Sequence, residues 1–460
     1  MSPFILEKKW YNSTRLSTTP NYMGEIGYMK KYSVIVIGAG GRGGKYASIM
    51  STCPEKFQVV AVADPAKGCR DAVQKMHNLP DNMCFHSWEE ILAKPKMADL
   101  ALICTKDDMH YEPAMKAIEL GYDLLLEKPV AQTPEQCADI ALAAQKKGVK
   151  VLVCHVLRYT PFFKKVKETI MDGTLGQIMS VMHVEAVGNV HQSHSYVRGN
   201  WHSEAEATPM LMAKSCHDID ILQWLLDKPC KRVQSFGELT YFRSENAPAG
   251  APVRCIDGGC PVEETCPYNC KKLYYDDKEN GWFRCASTRA FSKTNVPTDE
   301  EVMHALKTTD YGLCVFHANN DVVDHQVVNM EFEGGATVSF SMNAFNQGGR
   351  YIRIFGTKGE LYAGAKDSEI TIYTFEDKQI HKISMQAMNE SITSGHGGGD
   401  EGIIAELYEY LDGNYKGYCA ADIQTSVKNH LIGFAAEKAR RNGTVENVTA
   451  FFEKYGFINE

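Results

Sequence analysis

The chain reads as an α/β domain followed by a mixed α+β domain, and three observations predict this. Its 460 residues allow two or three domains with sizeable cores. Over about residues 31–157, short continuous apolar runs alternate with helical stretches, the pattern of a parallel sheet with right-handed crossovers. After Arg158 the apolar residues fall into period-two alternation, which is how half-buried antiparallel strands read.

Residues 1–30 are irregular and read as an extension. Val34 to Ile37 is a β-branched run ending in Gly38-Ala39-Gly40-Gly41-Arg42-Gly43, with a helix expected through Met50. Phe57 to Ala63 forms the next run and ends at Asp64. Ser87 and Glu90 have capping-box spacing. Leu100 to Cys104 is a third strand, Ala114 to Leu120 a helix stopped by Gly121, and Leu124 to Leu126 a fourth strand. The clearest helix follows. Thr133 and Gln136 form a capping box around Pro134, an apolar face runs through Cys137, Ile140, Ala141 and Ala144, and Gly148 ends it. Val151 to Leu157 closes the domain. In the second domain, 158–460, strands are expected at Gln177–Val187, Val322–Glu331, Ala336–Ala344 and Ile352–Phe355. A helix is expected from His217 through Leu226. Late helices are expected at Glu401–Leu411 and Ala421–Arg441, with Asn442-Gly443 after the second, packing back on the first domain.

Composition narrows the function. Apolar residues make up 44% and charged residues 23%, with a formal charge of −8. No basic patch of the kind nucleic-acid binding needs is visible. No apolar run approaches the ~20 residues of a membrane span, and the N-terminus lacks the apolar core of a signal peptide. Fifteen cysteines, an odd number, with several in apolar runs, fit a reducing cytoplasm. Six of them lie between Cys230 and Cys285. Those from Cys255 through Cys260, Cys266 and Cys270 sit in a Pro- and Gly-rich insertion of about 250–290. Four thiolates can hold zinc or an iron–sulfur cluster, but these spacings fit neither common pattern, so no metal site is assigned.

The glycine turn has the context that gives a GxGxxG pattern meaning: a buried strand before it, a helix after it, and an acidic residue ending the next strand. Gly38, Gly40 and Gly43 serve the turn, the approach of a pyrophosphate and helix–strand packing. Gly41 and Arg42 lie within the turn. Asp64, 21 residues beyond Gly43, suits the ribose hydroxyls of NAD, while Arg42, Lys67 and Arg70 keep NADP open. Glu127-Lys128-Pro129 follows a buried strand, so Lys128 stands at the carboxyl edge of the sheet, where a cation can hold a substrate oxygen. His217 begins a helix, a place that suits a neutral general base. Arg198 and Trp201 could engage a sugar or pack an interface. His325 could touch substrate. Asp400 could cap a helix, and His396 could reach the cleft.

Taken together, VIVIGAGGRGG, ICTKDDMH, LLLEKP, HVLRY, SCHDIDIL and FGTKGE resemble the Gfo/Idh/MocA oxidoreductase family over roughly residues 31–440. The resemblance implies an N-terminal Rossmann domain and a second α+β domain built on an open, mainly antiparallel sheet. It also implies NAD or NADP, a secondary hydroxyl of a sugar, glycoside or cyclitol as substrate, and a homo-oligomer, dimer or tetramer. It places the family lysine on Lys128 and the family histidine on His217. Thr105, His110 and Glu127 fall in motifs that border the cofactor, and Arg158 and Tyr159 in one that borders the cleft. The aspartate the family carries four residues before the histidine is Ala213 here, so Lys214, Asp218 or Asp220 would have to compensate. Two other outcomes stay open on the same scaffold: redox-neutral glycoside cleavage through a transient 3-keto sugar, and a non-catalytic nucleotide-binding sensor.

Overall fold

The computed structural model describes residues 30–279, 281–292, 296–385 and 397–457. All but the end of the expected 1–30 extension, and His396, lie outside these residues. The first sheet has six strands: β1 (Tyr32–Ile37), β2 (Phe57–Ala63), β3 (Cys84–Phe85), β4 (Leu100–Ile103), β5 (Asp123–Leu126) and β6 (Val151–Val153). All pair in parallel, in the order β3-β2-β1-β4-β5-β6. The continuous apolar runs are explained by helices packed on the sheet, which leave Val34, Ile35, Leu100 to Ile103 and Leu124 to Leu126 fully buried. The helix Pro134–Lys147 starts with Thr133 Oγ1 accepting from the Gln136 amide at 3.2 Å and ends at Gly148 with φ 72°. At the helix Trp88–Leu92, Ser87 does cap, but Glu90 reaches back to the His86 amide at 2.8 Å, one residue before the cap.

The second sheet has nine strands: β7 (Ile178–Ala186), β8 (Cys230–Glu238), β9 (His325–Phe332), β10 (Thr337–Asn343), β11 (Gly349–Gly356), β12 (Gly359–Gly364), β13 (Glu369–Thr374), β14 (Ile380–Ser384) and β15 (Val445–Asn447). Their order is β14-β13-β12-β11-β7-β10-β9-β8-β15. Seven of the eight junctions are antiparallel. The central one, β7 against β10, is parallel, from Thr337↔Ser180 to Asn343↔Ala186. Uniform alternation predicted antiparallel neighbours, but strands with one face buried alternate in either orientation, and β10 reaches β7 only after a long excursion through helices, β8 and β9. Val328, Met330, Phe340, Ile352 and Ile354 line the buried face. Met179, Met182, Phe236, Val327, Tyr351 and Tyr362 are exposed on the other.

The helix Cys216–Leu226 and the late helices Gly399–Asp412 and Ile423–Asn442 form as expected. The last packs on Pro134–Lys147, Cys216–Leu226 and β8 together, and the Val153 amide donates to Ala421 O at 3.0 Å. The insertion packs into two small cores with the segments that flank it, one around Phe242, Tyr268 and Phe316, the other around Tyr274, Phe283 and Leu306.

Candidate functional site

The cleft opens at the carboxyl ends of β1, β4 and β5. Gly38 has φ 85°, and a Cβ there would stand 2.4 Å from the Cys104 carbonyl oxygen. A Cβ on Gly43 would stand 1.9 Å from the Gly38 oxygen. The turn is therefore shaped by residues without side chains, and it delivers the chain into the helix Gly41–Ser51, whose first amides have no intrahelical acceptor. Asp64 faces the turn. Its carboxylate accepts from the Ala39 amide at 2.6 Å and the Ala66 amide at 2.7 Å, which fixes it while leaving lone pairs for hydroxyl donors. Burial pushes its pKa up, against the pull of these amides and of Arg289. A glycine cradle, free helix amides and a fixed carboxylate together fit the diphosphate and ribose of a dinucleotide.

Several residues expected at the cofactor serve the scaffold instead. Arg42 turns inward, with Nε 2.8 Å from Glu127 Oε1 and Nη2 2.7 Å from Asp400 Oδ1, because two buried carboxylates attract it more strongly than open water does. Glu127 is thereby committed to Arg42. Burial would raise its pKa, but Arg42 and Lys128 hold it below the usual carboxylate range. Asp400 holds Arg42 from within the first turn of the helix Gly399–Asp412, whose N-cap position is Gly398. Lys67 pairs with Asp71, and Arg70 donates to the Asp64 carbonyl. His110 is buried, its ring nitrogens 2.7 Å from Pro129 O and 3.2 Å from Thr105 O. It ties the loop after β4 to the cis Lys128–Pro129 bond. Thr105 is bonded to Met109 O.

On the substrate side, Lys128 Nζ donates to the Ala213 carbonyl oxygen at 2.7 Å. The position that lacks the expected aspartate thus still supplies an acceptor, from its backbone. His217 lies one turn further on, 8% exposed, with its ring edge-on to His155 at 6.1 Å between centroids. Burial drives His155 down to about 4, with Lys128 among the charges that act on it. Trp201 Nε1 reaches both oxygens of Asp107 at 3.1 Å, and burial raises the Asp107 carboxyl. Lys214 stands 3.4 Å from Glu185, and burial lowers its pKa. Arg350 Nε lies 2.8 Å from both Glu185 and Asp218, and Asp218 also meets His183 at 2.8 Å. Lys128, His217, Trp201 and Lys214 are therefore gathered at one cleft, with Asp218 buried behind them.

Three other expectations fall elsewhere. Arg158 is fully paired with Asp220 by two bonds of 2.7 Å, and Tyr159 is buried beneath Gly402. Inward carboxylates and packing claim both. His325 stands on the exposed face of the second sheet, bonded to Asp324 at 2.8 Å, because β9 alternates and its neighbour Gln326 takes the buried side. Arg198, unlike Trp201, is an anchor: it donates to Leu313 O and Tyr268 O, both at 2.8 Å. Near it, Cys255, Cys260, Cys266 and Cys314 line a small cavity. Among the described residues no three His, Cys, Asp or Glu side chains are grouped to hold a metal ion. Sequence reasoning missed Asp107, Glu185, Arg350 and Arg289. Asp107 had a signal, its place just after a buried strand. The others come from strands and an insertion with no local motif.

A glycine cradle at the edge of a parallel sheet, with Lys128 after a strand of that sheet bonded to the segment that carries Lys214 and His217, is the arrangement of an NAD-binding oxidoreductase. Residues 32–155 match the model for the oxidoreductase family with an NAD-binding Rossmann fold, and residues 167–448 match its C-terminal alpha/beta domain. The chain belongs to this Gfo/Idh/MocA family. YteT of Bacillus subtilis, an oxidoreductase by name, is 25% identical over 359 residues, 75% of this chain and 80% of that one. The 2,7-anhydro-N-acetylneuraminate hydratase of Mediterraneibacter gnavus is 25% identical over 199 residues, 43% of this chain and 50% of its own length. Levoglucosan dehydrogenase, solved with NADH and L-sorbose, superposes with a TM-score of 0.65 at 17% identity, covering 91% of this chain and 99% of that one. Among the described residues no helix is long and apolar enough to cross a membrane.

Proposed function

We propose that the protein is an NAD(P)-dependent dehydrogenase acting on a secondary hydroxyl of a sugar, glycoside or cyclitol. The observation that carries this reading is the placement of Lys128 at the sheet edge, bonded to the Ala213 carbonyl one turn before His217, beside a cradle that fits a dinucleotide. The turn around Gly38, Gly40 and Gly43, with Asp64, would hold a nicotinamide dinucleotide, which would supply the hydride acceptor for the substrate carbon. Lys128 steadies the substrate oxygen with its ammonium. His217 takes the hydroxyl proton, and in the reverse direction returns it. Trp201, fixed by Asp107, offers an apolar wall to a sugar face. Lys214, with Glu185 and Arg350 behind it, offers donors to ring hydroxyls. Most of the acceleration comes from holding these groups in place before the substrate arrives.

The test is to denature purified protein, identify the released small molecules by mass spectrometry, and follow absorbance at 340 nm against a panel of sugars and cyclitols. NADH accumulating with one substrate supports the proposal. Retained NAD with glycoside cleavage and no net NADH replaces it with the redox-neutral reading. No dinucleotide released, and none bound on titration, overturns both. The exposed apolar face of the second sheet supports a homo-oligomer, which light scattering would detect.

A further inference from the structure

The insertion in the second domain reaches back across the molecule to the glycine turn of the first. Its helix Gly281–Thr288 is followed at once by Arg289. A Cβ built on Gly40 would stand 3.5 Å from Arg289 Nη1, and one on Gly41 3.4 Å from Nη2 and 3.5 Å from Nη1. The guanidinium therefore lies against the two glycines that open the helix Gly41–Ser51. Its charge also acts on Asp64 and Cys69 on one side and on His194 and Tyr311 on the other.

The other cations around the turn are committed. Arg42 is paired with Glu127 and Asp400, Lys45 with Glu401 at 3.2 Å and Lys67 with Asp71. Arg70 is bonded to the Asp64 backbone. The Arg289 side chain makes no ion pair or hydrogen bond among the described residues. A partly buried guanidinium without a carboxylate, held against a row of free amides, lacks only an anion. Arginine suits phosphate in particular, because its planar fork can bind two oxygens at once.

We propose that Arg289 is the diphosphate clamp of the cofactor site, supplied to the Rossmann domain by the insertion of the other domain. This rests on reading the turn as a dinucleotide site. The amides of the turn and the first helix bind the diphosphate from beneath. Arg289 swings outward by a side-chain rotation, admits the diphosphate between itself and Gly40–Gly41, and binds it from the solvent side. The insertion is then part of the cofactor site, and the dinucleotide joins the two domains.

The test uses the full chain, treated with charcoal to strip dinucleotide, in calorimetric titrations with NAD+ and with NADP+. Wild type, Arg289→Ala and Arg289→Lys are compared, and apo-protein melting confirms that the variants fold. The proposal expects Arg289→Ala to weaken both dinucleotides by the same factor, about tenfold to a hundredfold, the worth of a charge-assisted bond. Arg289→Lys restores part of the loss. Equal NAD+ affinity in wild type and Arg289→Ala overturns the clamp while leaving the dinucleotide reading intact. A loss confined to NADP+ also overturns it, since Arg289 would then read the ribose phosphate. Wild type that binds neither dinucleotide overturns the reading on which the proposal rests.

Discussion

The two halves of the cleft are built on different principles. The cofactor half is a backbone device: Gly38 and Gly43 leave no room for a methyl group, and Asp64 is fixed by two amides. The substrate half is mainly a side-chain device, in which Lys214, Glu185, Asp218 and Arg350 hold one another at 2.8 to 3.4 Å and Lys128 is held at 2.7 Å by the Ala213 carbonyl. The first kind is local in sequence and intolerant of added atoms. The second is assembled from distant segments and can change its ligand by changing single residues. A shared cofactor and varied substrates are what such a division permits.

Four outcomes would break or sharpen this contrast. The largest concerns Lys128. Lys128→Met should lower kcat/KM by about 10³- to 10⁴-fold while NAD+ affinity stays within a few-fold, because its charge is needed only where the substrate oxygen sits. Equal losses in both would merge the two halves. Next, Gly43→Ala should destabilise the fold by about 3 kcal/mol in urea titrations, since backbone rather than a flexible side chain meets the new methyl. Gly443→Ala, with φ 64° at a helix end and open space around it, should cost about 1 kcal/mol.

The third outcome is pH-dependent. His155 and His430 are buried between the two halves and held down to about 4 and about 3, burial being the main cause in each. In the unfolded chain they titrate near 6.5. The unfolded state therefore binds protons that the folded state refuses. The stabilisation is whole above pH ~6.5 and is lost as the pH falls toward 4. From pH 7 to pH 5, His155 alone should account for about 2 kcal/mol, and His155→Gln should flatten the profile measured by urea unfolding. The smallest effect is that of Trp201→Phe. It removes the donor to Asp107 and should raise substrate KM about fivefold, leaving dinucleotide affinity unchanged.

The same division explains what could be read from the chain. Five of the six strands of the first sheet were legible, because burial on both faces leaves continuous apolar runs, whereas the two-residue edge strand β3 is too short to leave one; the cradle was legible because its glycines fall within six successive residues. Lys128 and His217 were found at the edge of a buried strand and the start of a helix. Arg42 and Arg158 were misplaced because nothing in sequence tells a cation that faces a ligand from one that faces a buried carboxylate such as Asp400 or Asp220, and Tyr159 because its packing beneath Gly402 joins segments far apart in the chain. Alternation along β7 and β10 was visible, but their parallel pairing is set by connections, not by periodicity. Arg289 reaches Gly40 across about 250 residues of chain, and no local pattern announces such a contact.

The contact of the late helices with the first sheet bears on how the protein is made. The edge of β6 pairs its backbone with residues 421 and 422, the helix Ile423–Asn442 packs on Pro134–Lys147, and Arg42 takes one of its two carboxylates from Asp400. A chain emerging from the ribosome has all six strands of the first sheet in hand by residue 153, yet lacks the segment that seals them until some 290 further residues have been made. For that interval an apolar flank stays uncovered, and domains of this size with uncovered surface are prone to aggregate. Truncation after the first sheet would make the interval permanent. The first domain is thus an early product of synthesis that can be finished only late, and chaperone demand during expression should fall on nascent chains ending between residues 153 and 442.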